Sequence, residues 1–262
     1  MHLVWNVDPV LLHLGPVALR WYGLLFTAGI FAAYAVGAWS FERAGGSRED
    51  ASRLLGYVVV GTIVGARLGH CLLYEPGYYL RHPIEILAIW RGGLASHGGA
   101  AGIAIAVWVF ARRTGRSLLW LLDRVAVAAP VAGACIRIGN FFNSEIIGRP
   151  SSLPWAVVFA RVDSQPRHPA MLYEAAAYLV ILVGMVWLEA RTSIRDRRGA
   201  LTGVLLALIF SARFVIEFVK EPQEAFEAAL PLDLGQLLSL PAIAIGLLLL
   251  VLALYRAQAR GS

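Results

Sequence analysis

The chain has 262 residues, 58% of them hydrophobic and only 15% charged, with a mean hydropathy of +0.66. A soluble domain is about 45–50% apolar and about 25% charged, so this composition excludes an ordinary soluble globule and fits a polytopic membrane protein. The formal charge of +6 comes from twenty-two arginines and one lysine, Lys220; the arginines are spread over short loops rather than gathered on one face, which argues against a nucleic-acid partner and for a role in setting topology.

The first residues, MHLVWNVDPVLLHLG, have neither a basic start nor an unbroken apolar run. No cleavable signal peptide is expected, and the first span would act as the insertion signal. Seven stretches approach the ~20 residues needed to cross the hydrocarbon core: roughly 17–41, 51–74, 96–111, 118–142, 169–190, 200–219 and 235–255. The third is short, and Pro130 interrupts the fourth, which neighbouring helices can tolerate. The expected fold is an all-α polytopic membrane protein: seven transmembrane helices and a small extracytoplasmic head over 143–168, in one integral membrane domain over 1–262 without internal repeats.

Basic residues mark alternate loops: Arg43 and Arg48; Arg112, Arg113 and Arg116; Arg191, Arg195, Arg197 and Arg198; then Arg256 and Arg260 in the tail. The positive-inside rule places the N-terminus outside and the C-terminus in the cytoplasm. The outer side then receives the residues before Arg20 and the segments 75–95, 143–168 and 220–234. These carry Tyr74, Tyr78, Tyr79, Trp90 and Trp155, which suit a headgroup-level belt, and HPIEILAIW (82–90) reads as a short interfacial helix. Segment 149–168 has room for two short strands. Cys71 and Cys135 both lie in apolar runs, which argues against a disulfide framework.

The most informative stretch is GACIRIGNFFNSEIIGR (133–149). It begins inside an apolar run and sets Arg137, Asn140, Asn143, Glu145 and Arg149 at its end, beside Gly139 and Gly148. An ionisable group inside a span costs about 2.5–3.5 kcal/mol on insertion scales, so this density points to a site for an anionic lipid headgroup. Asn140 shares a helix face with Arg137 at i+3. Arg213 lies inside the sixth stretch with Glu217 at i+4, either an intrahelical ion pair or part of a site. Arg67, in GARLG, reads equally as structure or site. His97, in SHGG, can take a proton near neutral pH. Tyr22 opens the first span, and His168, Tyr173 and Glu174 open the fifth. Asp123 and Arg124 read as structural. No metal, phosphate-loop or nucleophile-elbow motif is present, so no metal or cofactor is expected.

Several segments together resemble the prolipoprotein diacylglyceryl transferases: LRWYGLL (19–25), GGLASHGG (92–99), the signature at 133–149, HPAMLYE (168–174), RFVIEFVKEP (213–222) and GQLLSLP (235–241). The resemblance implies a seven-span enzyme of the bacterial inner membrane. It would move the diacylglyceryl group of phosphatidylglycerol onto the lipobox cysteine thiol of a prelipoprotein at the outer leaflet, releasing glycerol 1-phosphate. The implied partners are phosphatidylglycerol, the prelipoprotein signal peptide and membrane lipids. The family's important positions fall on Tyr22, His97, Arg137, Asn140, Glu145, Gly148, Arg213 and Glu217. Arg137 and Arg213 would clamp the leaving phosphate, with His97 a candidate base. Tyr22, Asn140, Asn143, Glu145, Gly148, Glu217 and Arg67 would bind or frame the substrate. Lys220 stands where the family often has Arg and lacks the bidentate fork, so Lys220→Ala is expected to keep substantial activity. The alternative is a lipid or anion transporter with an Arg-lined path.

Overall fold

The computed structural model describes residues 2–15, 17–89, 92–221 and 232–258. In chain order the elements are strands β1 (Leu3–Trp5), β2 (Val10–Leu14) and β3 (Val17–Arg20), helices α1 (Trp21–Arg43), α2 (Arg48–Leu73), α3 (Pro76–Arg81), α4 (Ser96–Thr114) and α5 (Leu118–Asn143), strands β4 (Val157–Phe159) and β5 (Pro166–Arg167), and helices α6 (Ala170–Arg191), α7 (Ala200–Glu217) and α8 (Leu234–Gln258).

Among the described residues, six helices are long and apolar enough to cross a membrane: α1, α2, α5, α6, α7 and α8. The remaining expected span is a helix of 19 residues, α4, but polar Ser96–His97 at one end and Arg112–Arg113 at the other dilute its apolar stretch. Two expectations need correction. Residues 17–20 do not begin the first helix; they form β3, paired antiparallel with β2. Residues 82–90 do not form one interfacial helix; α3 is followed by a single 3-10 turn over Pro83–Leu87. Trp90, Arg260 and most of the segment 220–234 lie outside the described residues.

The chain divides into two compact units, with boundaries inside α1 and α5: Met1–Ser40 with Asp123–Ser262, and Phe41–Leu122. In the larger unit, α5, α6 and α7 share a core of Val127, Ala134, Tyr178, Ile181, Met185 and Leu201. Gly199, in the left-handed region at φ 91°, precedes α7 and offers no capping side chain. Asp123 of α5 caps it instead, accepting from the backbone N–H of Gly199 (2.7 Å) and Thr202 (2.8 Å) and from the Thr202 hydroxyl (2.8 Å). Next to it, Arg124 pairs with Glu189 at 2.5 Å with both side chains fully buried, and Ser40 donates to the same carboxylate. These contacts give Asp123 and Arg124 the structural role expected of them.

The head is a sheet in the order β1–β4–β5, with β1 parallel and β5 antiparallel to β4. Trp5 brings it onto the end of α5, with ring centroids 4.1 Å from Phe141 and 5.4 Å from Phe142.

In the smaller unit, α2 and α4 pack backbone to backbone. Gly61, Gly65 and Gly69 of α2 face Gly98 and Gly102 of α4, and a Cβ on Gly102 would overlap the Gly61 carbonyl. Small residues four apart permit this approach where lipid supplies no hydrophobic drive between helices. Gly102→Val is therefore expected to cost about 1–3 kcal/mol. Gly56→Ala, on α2 with nothing within 4 Å of a new Cβ, is expected to be neutral or slightly stabilising. Heat unfolding of the two variants in detergent checks the contrast.

Candidate functional site

The site begins where α5 stops. Ser144, at φ 57°, closes the helix in the left-handed region. Its N–H donates to the Phe141 carbonyl (3.1 Å), and the Glu145 N–H reaches back to Asn140 (3.0 Å). This is a Schellman ending with Ser in the position that usually takes Gly. Ile146 follows at φ 56°. A β-branched residue in this region is strained by about 1–3 kcal/mol, a cost that surrounding structure must hold in place.

The turn folds Glu145 back over α5. Asn140 donates to Glu145 Oε2 (3.0 Å) and Asn143 to Oε1 (3.1 Å), while Arg137 Nη1 donates to Asn140 Oδ1 (3.3 Å). Arg137 Nε lies 2.6 Å from Glu174 Oε2 of α6. The other Glu174 oxygen lies 3.5 Å from Lys220 Nζ, which is 3.0 Å from Glu217 Oε2 of α7. Neither nitrogen aims an N–H squarely at Glu174, so these are ionic contacts more than hydrogen bonds. Glu174 is 0% exposed and Lys220 3%. A single line of alternating donors and acceptors thus joins three helices and the loop after α5.

Tyrosines and glycines shape this line. The Tyr22 ring lies against Gly139, where a Cβ would stand 2.8 Å from the ring, and Tyr178 lies in the same way against Gly133. The Tyr178 hydroxyl lies in the fields of Glu174, Arg137 and Arg213. Gly235, at the start of α8, leaves room for the Glu217 carboxylate, 2.5 Å from where a Cβ would be. Gly148 is closed in by protein: a Cβ would meet His168 Cβ at 2.5 Å and the Val219 carbonyl at 2.6 Å. Two buried polar atoms of the segment, Ser144 Oγ and Asn143 Oδ1, have no hydrogen-bond partner among the described residues.

Of the two readings of Arg213 and Glu217, the intrahelical ion pair does not form among the described residues. Glu217 turns to Lys220, and half-buried Arg213 makes no hydrogen bond or ion pair among the described residues. Arg149 donates to the Lys220 carbonyl (2.9 Å) and approaches Asp233, on the outer side of the turn. Tyr22, Arg137, Asn140, Asn143, Glu145, Gly148, Arg213 and Glu217 all belong to the larger unit; Arg67 and His97 belong to the smaller. Arg67 is committed to its own loop, donating to the carbonyls of Glu85, Ile86, Gly92 and Gly93. His97 is exposed on a groove between α2 and α4.

Glu174 and Lys220 are the residues that sequence reasoning undervalued. Glu174 read as part of a helix entry, yet its position one turn into an apolar run was a signal of burial. His168 stands at the same entry, its Nδ1 3.2 Å from the Tyr173 hydroxyl, to which Trp155 donates at 2.8 Å.

A clasp joins the head to the segment after α7. Buried Arg167 donates to Asp163 (Nε 3.0 Å, Nη2 2.5 Å), to Glu221 (2.7 Å) and to the Gly148 carbonyl (3.3 Å). The Arg167 guanidinium, helped by the Gln165 N–H, holds the Asp163 carboxyl below its ordinary value of 3.8, and Asp163 holds Arg167 up.

The chain matches the family described as prolipoprotein diacylglyceryl transferase over residues 9–252. It is 48% identical to the phosphatidylglycerol–prolipoprotein diacylglyceryl transferase of Tolumonas auensis over 252 residues, 96% of this chain and 97% of that one. The enzymes of the same name from Chloroherpeton thalassium and Bacteroides fragilis are 44% and 42% identical, over 98% and 93% of this chain and 96% and 92% of theirs.

A carboxyl whose folded pKa is depressed stabilises above its unfolded pKa and loses that contribution as pH falls through the folded one. The stability difference between the native chain and Asp163→Asn should therefore stay constant from pH 7 to about 5. It should close as pH drops below 3.8. Near-ultraviolet circular dichroism of the heated proteins measures it.

Proposed function

The chain belongs to the prolipoprotein diacylglyceryl transferase family, and on that premise we propose how its residues perform the reaction. It is a membrane enzyme that transfers the diacylglyceryl group of phosphatidylglycerol to prolipoproteins. The acceptor is the lipobox cysteine. Its thiolate attacks the glyceryl carbon that bears the phosphate ester; the C–S bond forms as the C–O bond breaks, and glycerol 1-phosphate leaves. The thiol proton passes to a base, a role assigned to His97, whose ring makes no hydrogen bond among the described residues.

Charge builds on the leaving phosphate, so the enzyme's main task is electrostatic. Arg137 and Arg213 clamp it by charge-assisted hydrogen bonds. The observation that carries this reading is Arg213 itself: a half-buried cation inside an apolar helix, close enough to Tyr178 to share its surroundings with Arg137, and with no hydrogen bond or ion pair among the described residues. The open acceptor atoms of Asn143 and Ser144 suit the glycerol hydroxyls, with Tyr22, Asn140 and Glu145 framing them. The transporter reading draws nothing from the family.

Parity supports a reading with seven spans. Strand β1 is hydrogen-bonded to β4, so both stand on one side of the membrane, and α1, α2, α4 and α5 run between them. Crossings by α1, α2 and α5 alone would leave β4 on the wrong side; a crossing by α4 restores it. The segments 147–149 and 219–221 are also joined by backbone hydrogen bonds, and α6 and α7 between them are an even number. With the arginine-rich loops inside, the N-terminus, the head and the clamp face the outer side of the bacterial inner membrane, and the C-terminus faces the cytoplasm.

The test is purified protein with phosphatidylglycerol and a lipobox peptide, read by mass spectrometry beside the Cys→Ser peptide. A diacylglyceryl mass gain on the cysteine peptide alone is expected. Arg137→Ala and Arg213→Ala should each lower turnover by about 10²–10³ while keeping the helical circular dichroism of the native chain. Near-normal turnover in either would remove that arginine from the clamp.

A further inference from the structure

The buried ionic line contains a balance that the clamp alone does not explain. Glu174 and Glu217 are both buried, and each lies beside a clamp arginine: Glu174 on Arg137, Glu217 one helical turn from Arg213 on α7. Left to themselves, two carboxylates in a low-dielectric site would neutralise both guanidinium groups and compete with any phosphate. Lys220 prevents this. Its ammonium lies 3.0 Å from Glu217 and 3.5 Å from Glu174. Glu217 faces it instead of Arg213, and Glu174 divides its two oxygens between Lys220 and Arg137.

We propose that Lys220 is a positioning residue for the transfer: it draws the Glu217 carboxylate away from Arg213 and shares the charge of Glu174 with Arg137, so that Arg213 stays unpaired and Arg137 is only partly neutralised when the phosphate of the donor lipid binds. The inference rests on the reading that these arginines bind that phosphate. It replaces the expectation that Lys220→Ala keeps substantial activity, because burial turns a doubtful ligand into a counter-ion. An ammonium suits the task. It is a compact point charge that can sit between two carboxylates, and it does not need the planar fork that Arg brings to bidentate pairs.

The charge count supplies a test that a merely structural role would not pass. Arg137, Arg213 and Lys220 against the buried Glu174 and Glu217 leave one positive charge inside the site, the exposed Glu145 standing at its edge. K220M removes that charge, and K220M/E217Q restores it. Steady-state kinetics in mixed micelles, with phosphatidylglycerol varied at saturating lipobox peptide, separate KM from kcat. K220M should raise KM for phosphatidylglycerol about tenfold, with a smaller change in kcat, as expected for one lost charge-assisted contact. K220R should stay within about threefold of the native chain, and K220M/E217Q should recover most of the loss. If K220M/E217Q is no better than K220M, or if K220M keeps the native KM, the proposal is overturned. Should K220M fail to fold, as judged by its melting in detergent, the charge-balanced double variant carries the test alone against K220R. Arg137→Ala and Arg213→Ala run alongside: native KM in both would sink the clamp reading itself, whereas defects in both with none in K220M would sink only the role of Lys220.

Discussion

An ionised side chain buried among apolar helices is costly unless other groups answer its charge, and around α5, α6 and α7 this chain answers it with one connected line. Arg137 is held by Glu174, Glu174 by Lys220, and Lys220 by Glu217. Each carboxylate has two oxygens and each cation several N–H groups, so every link binds two neighbours and ties α5 to α6 and α6 to α7. The same rule operates in the Arg124–Glu189 pair, where Ser40 of α1 completes the set. Breaking such a line by removing one member leaves an uncompensated buried charge, which costs far more than the contact contributes.

The line is held in register by features that have no charge at all. Glycines at 133 and 139 let two tyrosine rings lie against α5, and the strained pair Ser144 and Ile146 turns the chain so that Glu145 returns over Asn140 and Asn143. Backbone strain persists where surrounding contacts over-determine it, and it clusters at sites that must be rigid before the ligand arrives. The clasp of Arg167 on Asp163 and Glu221 fixes the far side of the same turn.

Much of this was legible in the sequence because membrane proteins announce their helices by length and apolarity. The ends of α5, α6, α7 and α8 fall within a few residues of the apolar runs, and the dense polar signature at 133–149 falls where α5 ends and the ionic line begins. Pairing across distance was not legible. Nothing local in Leu3–Trp5 says that it will join Val157–Phe159, and β3, Val17–Arg20, reads as the start of a span because it runs into the apolar stretch of α1. The i+4 spacing of Arg213 and Glu217 suggested a pair on one helix. The burial of Lys220, three residues further on, redirected Glu217, and no periodicity carries that information. Arg67 shows the reverse case: an interior arginine looks the same in sequence whether it holds a ligand or, as here, four carbonyls of its own loop.

The parallel pairing of β1 with β4 also sets an order of events during biosynthesis. Residues 3–5 are made well before their partners at 157–159, which emerge only after α5. At about 5–20 residues per second, the strand waits on the order of ten to thirty seconds for its partner. Through that interval the apolar residues Leu3 and Val4 have no sheet to join. The sheet therefore assembles late: it closes only after all the helices between its two strands have been made, and whatever keeps those two ends of the chain apart prevents it from forming.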